Sequence, residues 1–364
     1  MVSIESIWMR DPFILVQTVY LSREDKRVCE NGKVSINHTN TTDGNERKLV
    51  YWLYGTTDKP PSNVNPYSKY PATGFQCYCS HDLVSWFGPY DAFRRDPECP
   101  FDTQFWAPEV YGRFFGVDCD ETVYGKYVML ATMNKSVGDC HRGVYALCSD
   151  SPSGPFHFVS KRYEPLTPSS WSCLDGSLYV DEYGVFYMVF CREWTQVKNG
   201  QVCVVKVKKD FSGPIDEPTV LFFGSEASWV KNNSKSSNSK SEYALDQNQP
   251  CTITDGPFIY KSKVSGELLI LWSSFYSETD LYCVGVARSQ GSIYGPWRQD
   301  VEPLFIGDGG HPMIVHDPDS DCLVLSLHVH NKHVNMSHPR LFIIKEELDE
   351  STNQCNLKIV ARKS

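Results

Sequence analysis

Short runs of aromatic and β-branched residues recur along the chain, separated by Gly, Pro, Asn and Asp. Runs of this length and composition are typical of β-strands, and the spacing expected of amphipathic helices is nearly absent. They form five groups of four, and Gly-Pro or Ser-Gly-Pro stands ahead of the last run in the first four groups. Repeated four-stranded units predict an all-β fold, a five-bladed β-propeller, because a closed ring hides its sheet edges. The alternatives are a pair of β-sandwiches or a β-helix.

The first run of each group opens with a related phrase, and three of the five phrases begin with aspartate. Because the first strand of a propeller blade lines the central channel, residues at these openings converge on one axial pocket. We therefore expect Asp11, Asp175 and Asp255 to occupy matching positions and to meet there. The five phrases are Asp11-Pro-Phe-Ile-Leu-Val16, Ala107-Pro-Glu-Val-Tyr111, Asp175-Gly-Ser-Leu-Tyr-Val180, Asp255-Gly-Pro-Phe-Ile-Tyr260 and Gly310-His-Pro-Met-Ile-Val315.

The repeat runs from end to end, which predicts a single domain over residues 1–364 instead of two domains. Two polar stretches without apolar periodicity, 22–47 and 231–240, are interpreted as loops. The predicted blades cover roughly residues 7–98, 103–160, 172–224, 251–301 and 308–362.

Composition and charge narrow the classes of partner. With 41% hydrophobic residues, the chain can bury a sizeable core. A net charge of −9 and the lack of a basic stripe argue against a nucleic-acid partner. No apolar run approaches the length of a membrane span, so we expect no membrane partner either. The oligomeric state is left open.

Two features of the sequence point to different compartments. The first nine residues lack the basic and apolar regions of a signal peptide, which favours the cytoplasm. Fourteen cysteines and five Asn-x-Ser/Thr sequons favour secretion instead. The cysteines form no zinc pattern, and most are expected to be small buried core residues. The sequons begin at Asn37, Asn40, Asn134, Asn232 and Asn335.

A group of carboxyl groups in one pocket has a definite chemistry. Like charges raise one pKa and leave another low, which gives one acid and one base. Glycoside hydrolysis needs such a pair, one carboxyl to protonate the leaving oxygen and one to activate water or attack carbon. A single aspartate beside Pro or Gly is ordinary turn chemistry. Three at one pocket indicate a catalytic centre.

The whole chain resembles glycoside hydrolase family 43. The resemblance rests on Arg10-Asp11-Pro12, Phe105-Trp-Ala-Pro-Glu109, Leu174 to Gly184, Asp255-Gly-Pro257 and Gly310-His311. It implies a five-bladed propeller that inverts anomeric configuration and removes arabinofuranosyl, xylosyl or galactosyl residues, with chain-end cleavage expected. It also implies Asp11 as general base, Asp175 as modulator of the acid's pKa, and the position of Asp255 as general acid. Retention of configuration would instead favour related fructan-hydrolase propellers.

The sequence departs from the family at the acid, where Asp255-Gly-Pro257 stands in place of Glu-Gly-Pro. The side chain is one methylene shorter, and a misplacement of about 1 Å can cost on the order of 10²-fold in rate. Asp255 is one candidate acid, and Glu193 is a second. Glu193 could equally form a salt bridge with Arg192. The third reading is a catalytically inactive carbohydrate-binding propeller.

Five further residues are candidates for contacts with a sugar. Trp106 and Trp194 are expected to stack on sugar rings, and Glu109 to bind hydroxyls, although packing and surface duty are the ordinary alternatives. The resemblance places His311 near the axis, where it implies a cation such as calcium, and Arg340 could reach the same pocket. No glycine pattern indicates a redox cofactor or phosphate site, so no cofactor is expected to be required.

Overall fold

A computed structural model describes residues 1–21, 46–62, 64, 68–112, 127–137, 141–232, 251–289 and 291–363. Within these residues the chain forms five antiparallel sheets of four or five strands each. The five-bladed β-propeller expected from the strand pattern is confirmed, and the sandwich and β-helix alternatives are wrong. Two of the sequons, at Asn37 and Asn40, lie outside the described residues.

Blades 1 and 2 come from the first 160 residues. Blade 1 has the strand order β1-β5-β4-β3-β2, and blade 2 has the order β6-β7-β8-β9. In each blade the strand nearest the axis is the one that carries the opening phrase. The strands are β1 (Val2–Ser3), β2 (Arg10–Leu21), β3 (Glu46–Thr56), β4 (Gly74–Ser80), β5 (Ser85–Arg94), β6 (Thr103–Gly112), β7 (Tyr127–Asn134), β8 (Gly143–Ser149) and β9 (His157–Phe158).

Blades 3 to 5 repeat the same plan, with strand order following chain order outward from the axis. Blade 3 comprises β10 (Cys173–Val180), β11 (Phe186–Arg192), β12 (Gln201–Lys206) and β13 (Thr219–Phe223). Blade 4 comprises β14 (Asp255–Lys261), β15 (Leu268–Phe275), β16 (Tyr282–Ser289), β17 (Arg298–Gln299) and β18 (Phe305–Ile306). Blade 5 comprises β19 (Gly309–Asp317), β20 (Cys322–Val329), β21 (His338–Asp349) and β22 (Gln354–Arg362).

Helix is scarce and short in the described chain. Helix α1 (Trp194–Val197) follows β11, and three 3-10 helices span Ile4–Ser6, Gly224–Glu226 and Asn331–Met336. Two of these four segments, α1 and Asn331–Met336, join the second and third strands of a blade. They therefore lie at the edge where the innermost strands begin.

The N-terminal segment closes the ring between blades 1 and 5. It starts as β1 at the outer edge of blade 1 and then crosses to the axis along blade 5. Trp8 Nε1 donates to the Val334 carbonyl over 2.7 Å, and Met9 N–H donates to the Ser337 carbonyl over 3.3 Å. Deeper between these blades, Tyr51 donates to Asp317 over 2.5 Å. The strands of blades 1 and 5 nevertheless pair only within their own sheets among the described residues.

The core consists of the faces that neighbouring blades press together. Aromatic side chains such as Trp86, Trp272 and Phe75 are fully buried there. Burial of one such side chain contributes about 2–3 kcal/mol. All eleven described cysteines have free thiols, and eight of them are buried, as expected for small core residues. The buried eight are Cys77, Cys79, Cys99, Cys173, Cys191, Cys203, Cys283 and Cys355.

The innermost strand of every blade carries a β-bulge at the same point, and one bulge residue has a left-handed backbone. In four blades the next residue is proline, which lacks the N–H that a bulge would leave unpaired. Asp255 lies one residue before this position, so the expectation that three aspartates match is wrong for Asp255. The left-handed residues are Asp11, Ala107, Asp175, Gly256 and His311, with φ of 54°, 46°, 59°, 51° and 56°.

Candidate active site

A ring of hydrogen bonds surrounds the axis at the level of the bulges. In four blades the N–H of the left-handed residue donates to a polar side chain on the second strand of the preceding blade. Each donor is thereby fixed by its neighbour, and the last pair joins blade 5 to blade 1. The four pairs are Ala107 to Thr56 (2.9 Å), Asp175 to Thr132 (2.9 Å), His311 to Ser273 (2.8 Å) and Asp11 to His328 (3.2 Å).

Blade 4 breaks this ring. The residue of blade 3 that corresponds to Thr56 and Thr132 is Cys191, and Gly256 N–H donates instead to Asp175 Oδ2 over 2.9 Å. A Cβ on Gly256 would lie 2.8 Å from Cγ of His311, so only glycine fits here. The Gly in Asp255-Gly-Pro257 thus lets the backbone of blade 4 reach the carboxyl group of blade 3.

Asp11 is held as a carboxylate. Thr56 accepts the Ala107 N–H, so its hydroxyl proton is free to point at Asp11 Oδ2, 2.6 Å away. Burial raises the pKa of Asp11, but the charges of His311 and Arg10 and the hydrogen bond from Thr56 lower it by more. The resulting pKa is about 2. Asp11 is therefore ionised at neutral pH.

Asp175 lies beside Asp11 and shares a histidine with it. His311 Nδ1 is 3.3 Å from Asp11 Oδ1 and 3.8 Å from Asp175 Oδ2. Burial and the neighbouring charges of Asp255 and Asp11 raise the pKa of Asp175 well above its ordinary value. Burial lowers the pKa of His311, so the ring is neutral at pH 7. The pKa values of these two adjacent aspartates are thus shifted in opposite directions.

Asp255 retains a proton into the neutral range. Burial and the negative charge of Glu193 raise its pKa to about 7, although a hydrogen bond from Tyr282 opposes this. Tyr282 Oη donates to Asp255 Oδ2 over 3.2 Å. Asp255 is partly buried as a residue, and it is the first residue of β14, at the face where the innermost strands begin.

Glu193 is buried and its carboxylate is saturated with donors. Arg142 Nη1 lies 2.6 Å from Oε1, and Ser172 and Thr195 donate to Oε2 over 3.1 and 2.7 Å. The partner is therefore Arg142 and not Arg192, the neighbour considered from the sequence. Such a charge-assisted pair holds the carboxylate in position.

Tryptophans form one wall of the site, on blades 2 and 3. Trp106 is half-buried at the start of blade 2, and the Arg142 guanidinium lies 4.9 Å from its ring centroid. Trp194 begins α1 directly after Glu193 and is also half-buried. Trp171, which the sequence analysis did not select, stacks with Arg192 at 4.0 Å. These rings lie at the edge where sugar could reach them.

Two other candidates form no hydrogen bond or ion pair with the three aspartates in the part of the chain that the structure describes. Glu109 is buried two residues below Ala107, accepts a hydrogen bond from Tyr111, and has its pKa raised to about 8 by burial. It is therefore a neutral group inside the channel. Arg340 lies on β21, the third strand from the axis, and no hydrogen bond or ion pair among the described residues joins it to Asp11, Asp175 or Asp255.

The described residues do not fit a directly bound metal ion. No group of three or more His, Cys, Asp and Glu side chains among them is placed to hold one. Calcium prefers six to eight oxygen ligands, whereas His311 Nδ1 faces the Asp11 and Asp175 oxygens.

A cavity of about 610 Å³ opens on the same face, on the side opposite the tryptophans. Its lining includes Phe275, Asn331 and Met336. The ring of Phe275 is 5.3 Å from that of Tyr282, which binds Asp255. Asn331 contacts His328, which binds Asp11, over 3.3 Å. Two lining residues thus contact Tyr282 and His328, the side chains that bind Asp255 and the Asp11 backbone, while neither aspartate lines the cavity.

Sequence reasoning missed the second-strand residues that bind the backbone N–H groups of the bulges. Thr56, Thr132, Ser273 and His328 each stand near the end of a second strand, in an otherwise apolar run. A polar residue at this recurrent position was a usable signal. Arg142 had none, because it precedes β8 in a loop and reaches Glu193 only through the blade packing.

The comparison of sequences decides the family. The profile of Glycosyl hydrolases family 43 matches residues 46–350. The chain belongs to glycoside hydrolase family 43. The match begins after Asp11, so the assignment of Asp11 depends on the geometry above. A comparison with curated proteins gave no match.

Solved structures of family 43 proteins share the fold. An endo-arabinase from Bacteroides thetaiotaomicron VPI-5482 is 29% identical, with a TM-score of 0.69, and the alignment covers 95% of this chain and 98% of that one. An endo-1,4-β-xylanase from the same organism is 18% identical, with a TM-score of 0.62 and coverage of 98% and 96%. A β-xylosidase/α-arabinofuranosidase from a compost metagenome is 14% identical, with a TM-score of 0.59 and coverage of 99% and 97%.

The described part of this family 43 chain contains no helix that is both long and apolar enough to cross a membrane. Of the three sequons within it, Asn134 is buried and donates to Gln104, whereas Asn232 and Asn335 are exposed.

Proposed function

We propose that this protein hydrolyses glycosidic bonds with inversion of configuration, using Asp11 as general base and Asp255 as general acid. The observation that carries the proposal is the difference between these two carboxyl groups. The pKa of Asp11 is held at about 2 and that of Asp255 is raised to about 7. Between these values one is a base and the other an acid, as inversion requires.

In the proposed reaction Asp11 removes a proton from water as the water oxygen attacks the anomeric carbon. Thr56 holds one carboxylate oxygen and leaves the other, near His311, to accept the proton. Asp255 gives its proton to the leaving oxygen as the glycosidic bond breaks. Asp175 supplies no proton of its own and orients the blade 4 backbone through Gly256. The reaction requires neither a redox cofactor nor a metal ion.

The substrate we propose is an arabinose-containing polysaccharide or its oligosaccharides. Support comes from the 29% identical structure, which is named an endo-arabinase. Xylosyl and galactosyl linkages are the alternatives implied by the family. The cavity lined by Phe275, Asn331 and Met336, on the same face as Asp255, has room for further sugar units. For both reasons we propose cleavage within the chain, in place of the chain-end cleavage expected from the sequence.

The test is product analysis with arabino-, xylo- and galacto-oligosaccharides, using Asp11→Asn as the matched inactive control. We expect arabino-oligosaccharides to give several products from the start, and proton NMR to show the anomer opposite to that of the substrate. A single short product would indicate chain-end cleavage. Retention of configuration would contradict the roles given to Asp11 and Asp255. Binding without cleavage of any sugar would establish the carbohydrate-binding propeller instead.

A further inference from the structure

The break in the axial hydrogen-bond ring occurs where a catalytic carboxyl group needs a donor. Four second-strand residues, Thr56, Thr132, Ser273 and His328, accept the N–H of the next blade. The fifth is a cysteine, and there the N–H goes to an aspartate. Sulfur is a weak acceptor compared with hydroxyl oxygen or imidazole nitrogen. The exception therefore has a chemical cause.

We propose that Cys191 is a positioning residue, which fixes Asp175 by leaving the Gly256 N–H free to bind the Asp175 carboxyl group. The inference rests on the proposed function, because Asp175 matters only if Asp11 and Asp255 act on a substrate. Cys191 does not touch the reacting atoms. It acts by being a poor acceptor at a position where the other blades carry good ones.

The surroundings of Cys191 fit this role. The side chain is fully buried at the interface of blades 3 and 4, so no water can substitute for it as an acceptor from solvent. Burial and the nearby charges of Asp175 and Asp255 raise the pKa of its thiol, so it stays protonated and is no thiolate acceptor. Asp175 is the acceptor that Gly256 uses, and Gly256 lies next to Asp255 in the chain. One hydrogen bond thus links the modulator to the strand of the acid.

A serine at this position would restore the ring and compete with Asp175 for the Gly256 N–H. Threonine would do the same, since Thr56 and Thr132 show that a threonine fits the corresponding site. Alanine would remove the sulfur without adding an acceptor, so Asp175 would keep its donor. The pair Cys191→Ser and Cys191→Ala therefore separates hydrogen bonding from packing, because both are smaller than cysteine.

The experiment combines crystal structures and pH profiles of wild type, Cys191→Ser and Cys191→Ala. We expect the serine variant to bind the Gly256 N–H, to lengthen the contact of Asp175 with Gly256 beyond hydrogen-bond range, and to lose about tenfold or more in kcat. Its basic pH limit should also move. The alanine variant should keep the contact and the pH limit, even if its melting temperature falls.

Two results would overturn the inference. One is a serine variant whose crystal structure keeps the Asp175 to Gly256 hydrogen bond, and the other is an equal loss of kcat in both variants. The crystal structures do not depend on turnover. If wild type cleaves no sugar, the proposed function fails while the structural part of this inference is still decided by the two structures.

Discussion

Asp255 and Glu193 are two carboxyl groups at the same face of the propeller, and their surroundings differ. Asp255 is partly exposed, receives one hydrogen bond from Tyr282, and has a pKa raised to about 7. Glu193 is buried, forms an ion pair with Arg142, and accepts hydrogen bonds from two hydroxyl groups. In the proposed reaction the first gives its proton to the leaving oxygen, whereas the second is held in an ion pair with Arg142. The hydrogen-bond and ion-pair partners of a carboxyl group determine whether it can act as a proton donor.

Glu193 also affects the pKa of Asp255. Its fixed negative charge is, after burial, the largest influence that keeps the pKa of Asp255 high. A buried ion pair is weak evidence for stability, yet it can hold a charge in place. Asp255 is one methylene shorter than the glutamate usual in the family. Glu193 would then serve the acid electrostatically and not replace it.

The largest expected effect is that of Asp11→Asn, which sets the scale for the comparison. The amide keeps an oxygen for Thr56 but cannot take a proton from water, so kcat should fall by about 10⁴-fold. Steady-state rates on arabino-oligosaccharides measure this, and the melting temperature should stay near that of wild type. Retained turnover would place the base elsewhere.

Asp255→Asn should rank second, with a loss of about 10²–10³-fold in kcat on the same oligosaccharides. The sugar leaving group is poor and needs the proton that the amide cannot give. Sugar binding, measured by calorimetry with a product oligosaccharide, should change little. A variant with near wild-type kcat would remove Asp255 from the role of acid.

Glu193→Gln should reduce kcat by only about tenfold but should shift the pH profile. In wild type Asp11 is ionised above about pH 2 and Asp255 is protonated below about pH 7, so kcat/KM should fall above pH 7. Loss of the Glu193 charge lowers the pKa of Asp255, so the decline should begin at lower pH. Breaking the buried pair with Arg142 should also cost about 3 kcal/mol in free energy of unfolding. An unchanged basic limit would contradict the electrostatic role.

Arg340→Ala should have the smallest effect, less than about twofold in kcat/KM, because Arg340 lies on the third strand of blade 5. The same rate assay measures it, with Arg142→Ala as the contrasting change near Glu193. A large loss in Arg340→Ala would show that substrate reaches β21.

The architecture could be predicted because each blade repeats the same strand pattern and the same opening phrase. The convergence of Asp11 and Asp175 followed from that repeat. The offset of Asp255 was also visible in principle, since proline directly follows the left-handed residue in Asp11-Pro12 but lies two residues after Asp255. The sequence comparison matched the opening phrases at their aspartates. In the structure the equivalent position of each blade is the left-handed residue of the bulge.

What could not be predicted depends on contacts between blades. The ion pair of Arg142 with Glu193 joins residues 51 positions apart across two blades. The Gly256 N–H donates to Asp175, which lies 81 positions earlier in the chain. This hydrogen bond depends on Cys191 being a poor acceptor for the same N–H. No periodicity records such contacts, because they arise only once the ring has closed.

The most direct test of the central assignment is the dependence of kcat/KM on leaving-group pKa, measured with a series of aryl glycosides of arabino-oligosaccharides for Asp255→Asn and Glu193→Gln. Loss of the general acid slows cleavage only when the leaving group is poor and needs a proton to depart. We predict that Asp255→Asn cleaves the dinitrophenyl glycoside at close to the wild-type rate and loses activity steeply as the leaving-group pKa rises. Glu193→Gln should run parallel to wild type. The reverse pattern, steep for Glu193→Gln and parallel for Asp255→Asn, would make Glu193 the acid and contradict the account.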